Sequence, residues 1–241
     1  MITITVLALL QQPTPWPVHS MDRPRPAVVR PPVAGPFTPP PSDAIVLFDG
    51  TSLAEWRSDN GQPAKWAVRD GVVEVVAGTG SLVTARPFGD IQLHLEWAPP
   101  PVAQGHGQER GNSGVFLMGL YEVQILDSYE NETYADGQAA ALFGQAVPLV
   151  NASRPPGVWQ VYDIIFRRPR FNTDGSVLRP ARATVLHNGV VVHDAVEFSG
   201  RTVFGRQATY QGHADTLPLS LQDHGNPVRF RNIWVRELAE P

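Results

Sequence analysis

Residues 184–193 read TVLHNGVVVH, and this stretch predicts the fold class. Two β-branched runs, Thr184–His187 and Val190–His193, flank the dipeptide Asn188-Gly189. Asn-Gly suits the two-residue turn of a β-hairpin, because both central residues of that turn adopt a positive φ. We therefore expect two antiparallel strands here.

Similar signals recur on either side of this hairpin. Asp70-Gly71 separates two further apolar runs, and Ile91–Trp97 alternates apolar with polar residues as a half-buried strand does. The 24 prolines and 21 glycines divide the chain at short intervals. One segment, Thr133–Leu142, is expected to form a short helix. The pattern predicts an all-β fold of two packed antiparallel sheets, a sandwich or jelly roll.

Composition excludes several functional classes. The chain has 241 residues, a net charge of −4 and no cysteine. It therefore has no disulfide, thiol nucleophile or thiolate metal site, and no basic footprint for nucleic acid. Lys65 is the single lysine, so a Schiff-base mechanism would have to use it. We find no Gly-x-Ser-x-Gly elbow and no phosphate-binding glycine loop.

The N-terminal region differs from the rest. Ile2–Leu10 is an apolar run with the length of a signal-peptide core, and Gln11–Pro41 holds 11 of the prolines. We expect an export signal within residues 1–20, a Pro-rich linker over 21–41 that is extended or disordered, and one folded domain over 42–239. These features predict a periplasmic or secreted protein without a transmembrane segment.

Two polar stretches in the first half are candidates for a ligand site. Residues 109–114, ERGNSG, offer Arg110 and Asn112 between glycines that allow close backbone approach. In residues 121–127, YEVQILD, Glu122 and Gln124 lie on the strand face opposite Val123, whereas Asp127 falls out of phase. A carboxylate beside an amide suits sugar hydroxyls, which both donate and accept hydrogen bonds.

A third stretch, residues 219–225, reads LSLQDHG. Leu219 and Leu221 are predicted to face the core, and Gln222 and His224 share the other face with Ser220. Histidine is the commonest general acid or base, and His224 is therefore the leading candidate for proton transfer.

Several motifs together resemble the 3-keto-disaccharide hydrolase family. They cover roughly residues 44–238 and read IVLFDGTSLAEWR, GNSGVFL, YEVQILDS, WQVYDIIF, VLHNGVVV and QDHGNPVRFRNIWVREL. The resemblance implies a concanavalin A-like jelly roll, related to lectins and glucanases, and typical export by bacteria. It also implies cleavage of glycosides whose sugar carries a ketone at carbon 3.

The chemistry implied by this resemblance begins with loss of the C2 proton. The C3 ketone acidifies that hydrogen, and the C1 leaving group can then depart, with a hydrolase or lyase outcome. On the resemblance, His224 is the expected base or acid, and Glu122 its partner or a ligand of a divalent metal. The expected substrate-binding residues are Arg110, Gln124 and Gln222, supported by Asn112 and Asp127. The implied partner is a sugar 3-oxidoreductase that acts upstream.

Two alternatives keep the fold and change the function. Glu122, Gln124 and Asp127 have the spacing of the Glu-x-Asp-x-x-Glu strand in retaining glucanases of this fold, but one of the three carboxylates is an amide. A lectin-like binding module is the other alternative, with Trp56, Trp66 or Trp159 stacking on a sugar.

Overall fold

The computed structural model describes residues 16–33 and 39–240. These residues contain two single-turn 3₁₀ helices, Gly107–Glu109 and Ala135–Gly137, and no helix long and apolar enough to cross a membrane. Their strands, β1 to β17 in chain order, are Ala27–Val28, Ile45–Phe48, Trp56–Ser58, Ala67–Arg69, Val72–Glu74, Leu82–Phe88, Ile91–Ala98, Ser113–Leu117, Tyr121–Ile125, Val150–Asn151, Gln160–Arg167, Arg170–Phe171, Val177–Arg179, Arg182–His187, Val190–Glu197, Leu217–Leu221 and Arg229–Glu237.

Most strands belong to two antiparallel sheets. The larger has the order β15-β14-β11-β7-β17-β5-β4, with β2 also paired to β17, and the smaller has the order β3-β6-β16-β8-β9. A continuous apolar core, which includes Trp56, Trp97, Phe166 and Phe230, fills the space between them. The prediction of an all-β, two-sheet antiparallel sandwich is therefore confirmed.

The two-residue period of the strands decides what faces the core. In β7, Leu93, Leu95 and Trp97 belong to the core cluster. In β9, Val123 and Ile125 belong to it as well, so their neighbours Glu122 and Gln124 lie on the outer face of the smaller sheet. This alternation, as predicted from the sequence, delivers polar side chains to one surface of the sandwich.

Both predicted hairpin turns are present. Asn188 and Gly189, between β14 and β15, have φ values of 55° and 79°, and Asp70 and Gly71, between β4 and β5, have 51° and 77°. Two consecutive positive values are the signature of the tight turn that matches the twist of a hairpin.

The predicted helix over Thr133–Leu142 is wrong. Only Ala135–Gly137 forms a single 3₁₀ turn, and the rest of the segment runs irregularly beside β9. The Gln124 backbone N–H donates to the Ala141 carbonyl oxygen, and the Ala140 backbone N–H donates to the Gln124 carbonyl oxygen. These backbone groups are thus satisfied by β9 rather than by a helix, which overrides the helix propensity of the alanines.

The structure also differs from the expected linker. Residues 16–33 lie on the sandwich: β1 pairs in parallel with β10, and the Val29 N–H donates to Asn151. Non-proline residues between the prolines keep backbone N–H and C=O groups that can pair with the sandwich, and a high proline content alone does not reveal such pairing. Residues 1–15 and 34–38 lie outside the described residues. The export signal therefore stays a prediction.

Candidate active site

A cavity of about 270 Å³ opens on the outer face of the smaller sheet. Strands β8 and β9, the loop after β16, the irregular segment after β9 and the loop at residues 202–204 form its walls. Its lining residues are Gln108, Asn112, Phe116, Glu122, Gln124, Tyr134, Phe143, Thr202, Phe204, Gln222 and His224.

Glu122 is the one carboxylate in this lining and is only 4% exposed. Burial raises its pKa from 4.5 to about 8, because removal from water disfavours the charged form. No arginine, lysine or histidine of the described residues forms an ion pair with it. Glu122 is therefore mainly a neutral acid at pH 7, with a proton to give.

A glycine on the neighbouring strand makes room for this carboxyl group. Gly114 of β8 pairs with Gln124 of β9, and a Cβ atom at Gly114 would lie 2.5 Å from Glu122 Oε1 and 2.9 Å from the Phe116 ring. Any larger residue there would have to displace the acid. Gly114 thus leaves the space on the outer face of the sheet that the Glu122 carboxyl group occupies.

An amide supports the acid. With its nitrogen placed towards acceptors, the Gln124 side chain donates to Glu122 Oε1 at 3.1 Å and to the Ser113 carbonyl oxygen at 2.9 Å. In this orientation the Gln124 side-chain oxygen faces the Gln108 side-chain amide at 3.0 Å, and the nitrogen of Gln108 donates to the Thr133 hydroxyl at 2.8 Å. This network fixes the carboxyl group without neutralising it by a cation.

Three polar side chains of the cavity are free to meet a ligand. Gln222 has a buried Oε1 without a protein partner among the described residues. Burial and the nearby carboxyl groups of Asp136 and Glu122 raise the pKa of Tyr134, so its hydroxyl stays a donor. His224 follows β16 on an exposed loop at the opening of the cavity.

The structure brings five of the seven predicted site residues together. Glu122, Asn112, Gln124, Gln222 and His224 line one cavity, although they come from three separate stretches. The structure thus joins β9 to the two stretches that precede β8 and follow β16.

Arg110 and Asp127 lie elsewhere. They line a neighbouring cavity of about 250 Å³ and bond to each other, with Arg110 Nε 2.7 Å from Asp127 Oδ2. Asp127 follows the end of β9, so the strand alternation no longer governs its direction. They do not line the cavity of Glu122, so their role at the same sugar stays a prediction, and their ion pair ties the loop after β9 to the loop before β8.

Sequence reasoning missed part of the wall. Gln108, Thr202 and the aromatic residues Phe143 and Phe204 gave no signal, since they lie in irregular segments without a strand period. Tyr134 stood out only as a neighbour of the second polar stretch. The three tryptophans suggested for sugar stacking do not line the cavity: two of them, Trp56 and Trp66, are core residues.

The donor set does not resemble a metal centre. Within residues 16–33 and 39–240, no group of three or more His, Asp or Glu side chains could hold a metal ion. Glu122 and His224 would supply two such ligands at most, fewer than the three protein ligands that catalytic zinc sites use. With Asp127 turned away, the cavity also lacks the second carboxylate that retaining glycosidases need.

Comparison with known proteins identifies the family. Residues 43–236 match the model of the 3-keto-alpha-glucoside-1,2-lyase-like domain. The chain belongs to this family. A 3-keto-disaccharide hydrolase of Bacteroides thetaiotaomicron is 26% identical, in an alignment that covers 80% of this chain and 78% of the relative. The resemblance inferred from the motifs is thereby confirmed.

Solved structures agree with this family assignment. A crystal structure from Parabacteroides distasonis, described provisionally as a glycosyl hydrolase, is 45% identical, with a TM-score of 0.82 over 90% of this chain and 93% of that one. A second crystal structure from the same organism has 21% identity and a TM-score of 0.62 over 82% and 94% of the two chains, and shows the shared fold. The first of these structures supports the family assignment, and the second supports the fold alone.

Proposed function

We propose that the protein cleaves 3-keto-glycosides by removing the C2 proton and releasing the C1 substituent. The observation that supports this proposal is a buried acid without a cationic partner, Glu122, in one cavity with the imidazole of His224. The family match supplies the substrate class. The chemistry calls for one base and one acid near neutral pH, and it does not call for a pair of carboxylates.

The elimination step uses both groups. His224 takes the hydrogen from C2, and the electron pair of that C–H bond forms the enolate of the C3 ketone. As the enolate collapses, the bond from C1 to the glycosidic oxygen breaks, and Glu122 donates its proton to the departing oxygen. The products of this step are an alcohol or free sugar and an unsaturated 3-keto sugar.

Hydration returns the site to its starting state. Ionised Glu122 removes a proton from water as the oxygen adds to C1, and protonated His224 returns a proton to C2. The net reaction is then hydrolysis. Release of the unsaturated sugar before water adds is the lyase outcome, which leaves both residues to be reset by solvent.

Polar groups of the cavity stabilise the enolate. Gln222, whose Oε1 has no protein partner among the described residues, can turn its amide group to donate to the C3 oxygen as charge develops there, and the Tyr134 hydroxyl can donate to the leaving-group half of the substrate. Asn112 is held by the Gln108 carbonyl oxygen at 2.7 Å and supports the wall. Gln124 positions the acid.

We also propose an exported location and an upstream partner. A periplasmic or secreted enzyme would suit the apolar run Ile2–Leu10. The upstream partner that we propose is an oxidoreductase that converts a C3 hydroxyl to a ketone, because a sugar acquires this ketone by oxidation.

Product analysis tests the reaction type. The purified chain is incubated in D₂O with a 3-keto-glucoside and with its unoxidised parent, with and without EDTA, and followed by NMR and mass spectrometry. We expect cleavage of the oxidised sugar alone and no effect of EDTA, with deuterium at C2 of a hydrated product or loss of the C2 hydrogen in an unsaturated one. Cleavage of the parent sugar would instead support a classical glycosidase, and binding of either sugar without cleavage would support a lectin-like module.

A further inference from the structure

The N-terminal strap, which we define as residues 16–33, lies against the aromatic side of the cavity. The ring of His19 stacks on Tyr134 with centroids 4.2 Å apart and planes at 21°. The same ring contacts Phe143 at 4.9 Å and Phe204 at 5.3 Å. All three of these partners line the cavity, so His19 supports the wall from behind.

Specific bonds hold His19 in this position. The backbone N–H of His19 donates to Oδ2 of Asp136 at 3.1 Å, and the Arg23 guanidinium lies 3.5 Å from the same oxygen. Asp136 is fully buried, two residues after Tyr134. His19 has a φ of 61°, an uncommon conformation for a non-glycine residue that persists only where the surroundings impose it.

The strap continues along the sandwich beyond His19. Arg25 pairs with Glu132 at 2.7 Å on the surface, β1 pairs with β10, and Arg154 donates to the Pro32 carbonyl oxygen at 3.0 Å. These contacts are spread over the whole segment. They make the strap a seated part of the domain.

The Phe204 ring, which His19 contacts, is exposed at the cavity and available to a ligand. It is 76% exposed, yet it lines the cavity and is paired face to face with Phe143 at 6.5 Å. An exposed aromatic ring at the opening of a polar cavity can pack on the apolar face of a sugar. Glu122 is 4% exposed and Phe204 is 76% exposed, so a substrate whose glycosidic oxygen meets the acid would extend outward along the wall to Phe204.

We propose that the strap is part of the substrate site and that His19 is a positioning residue. It holds Tyr134 and Phe204 as a wall for the leaving-group half of the substrate. This inference rests on the proposed function. It also requires that any processing of the N-terminus leaves residues from Trp16 onwards attached to the chain.

Steady-state kinetics of His19→Ala in the full chain test the inference. Two substrates are compared, a 3-keto-glucoside with a methyl leaving group and one whose leaving group is a second glucose. For the disaccharide we expect KM to rise about threefold to tenfold, the scale of a lost aromatic contact. For the methyl substrate, KM and kcat should stay within twofold, because methanol does not reach Phe204.

Two further variants separate positioning from general damage. His19→Phe keeps a ring against Tyr134 and should restore the KM for the disaccharide to within threefold of wild type. Arg25→Ala removes a surface ion pair on the same strap, away from the wall, and should leave both substrates unaffected. Equal effects of His19→Ala on the two substrates, or failure of His19→Phe to rescue, would overturn the proposal.

A binding measurement distinguishes failure of this inference from failure of the proposed function. Calorimetry with the 3-keto-disaccharide compares Glu122→Gln with the double variant Glu122→Gln/His19→Ala, and we expect weaker binding by the double variant. If wild type turns over the substrate and the His19 variants keep the same KM and affinity, the inference about the strap is wrong and the proposed function stands. Absence of both turnover and binding in wild type would overturn the proposed function and the strap with it.

Discussion

Two glutamates are almost completely withdrawn from solvent on opposite outer faces of the sandwich. Glu96 of β7 in the larger sheet is 5% exposed, and Glu122 of β9 in the smaller sheet is 4% exposed. Arg231 binds Glu96 through two nitrogens at 2.7 and 2.6 Å, and Asn232 donates to it at 3.0 Å. Glu122 has an amide as its supporting group, and no cation of the described residues forms an ion pair with it.

This difference in partners distinguishes a glutamate that stabilises the fold from one that can donate a proton. A buried carboxylate that is paired with an arginine keeps its charge and fixes neighbouring strands together. A buried carboxyl group without a cation holds its proton to a higher pH, as Glu122 does with its pKa of about 8. The same residue type at the same burial can therefore serve the fold on one face and proton transfer on the other.

The largest expected effect is on turnover. Glu122→Gln should lower kcat on a 3-keto-disaccharide by about 10²- to 10⁴-fold, because the departing sugar oxygen needs a proton. On a 3-keto-glucoside with a nitrophenol leaving group, which departs as an anion, the loss should be less than tenfold. His224→Ala should impair both substrates, since both need C2 deprotonation.

Steady-state rates of the two variants on the two substrates provide this test. Glu96→Gln, a matched change on the opposite face, is the control and should retain most of the turnover. An equal loss on both leaving groups in Glu122→Gln would argue that Glu122 is not the acid.

A smaller effect is expected on the pH dependence of stability. The pKa of Glu122 rises from 4.5 in the unfolded chain to about 8 in the folded one, so the folded state holds more protons between these values. Its contribution is complete below pH 4.5 and is lost as the pH rises to 8. Relative to Glu122→Gln, wild type should lose on the order of 3 kcal/mol between pH 5 and 8.

Denaturant unfolding of both proteins across this pH range measures the difference. The substitution to glutamine keeps the shape of the side chain and removes the titration, so other ionisable groups cancel. Parallel stability curves for the two proteins would mean that Glu122 titrates normally.

The smallest expected effect concerns the paired glutamate. Glu96→Ala leaves Arg231 without its carboxylate, and because the arginine side chain is 34% exposed we expect a loss of about 2 kcal/mol in the free energy of unfolding. The double variant Glu96→Ala/Arg231→Ala should recover part of this loss. Additive losses would indicate that the pair is not coupled.

The sequence predicted those features that depend on strand period and turn chemistry. The hairpins at Asn188-Gly189 and Asp70-Gly71 and the outward direction of Glu122 and Gln124 follow from local rules, which the sheets obey. Asp127 and Arg110 do not line the cavity of Glu122, because both lie beyond the ends of strands, where alternation stops.

Long-range contacts account for the rest. Phe204 reaches the cavity, and His19 packs behind its wall, from segments without regular structure that lie some 80 and 100 residues from β9 along the sequence. In the Thr133–Leu142 segment, backbone hydrogen bonds to β9 replace those that a helix would have formed. No local pattern in a single sequence contains such pairings.

A ¹³C NMR titration of carboxyl-labelled glutamate, with Glu122→Gln used to assign the signal, tests the central claim most directly. The account predicts that the Glu122 carboxyl signal shifts with a midpoint near pH 8, well above the other glutamates. A midpoint near pH 4.5 would contradict it, because Glu122 would then be ionised at neutral pH and would have no proton to donate.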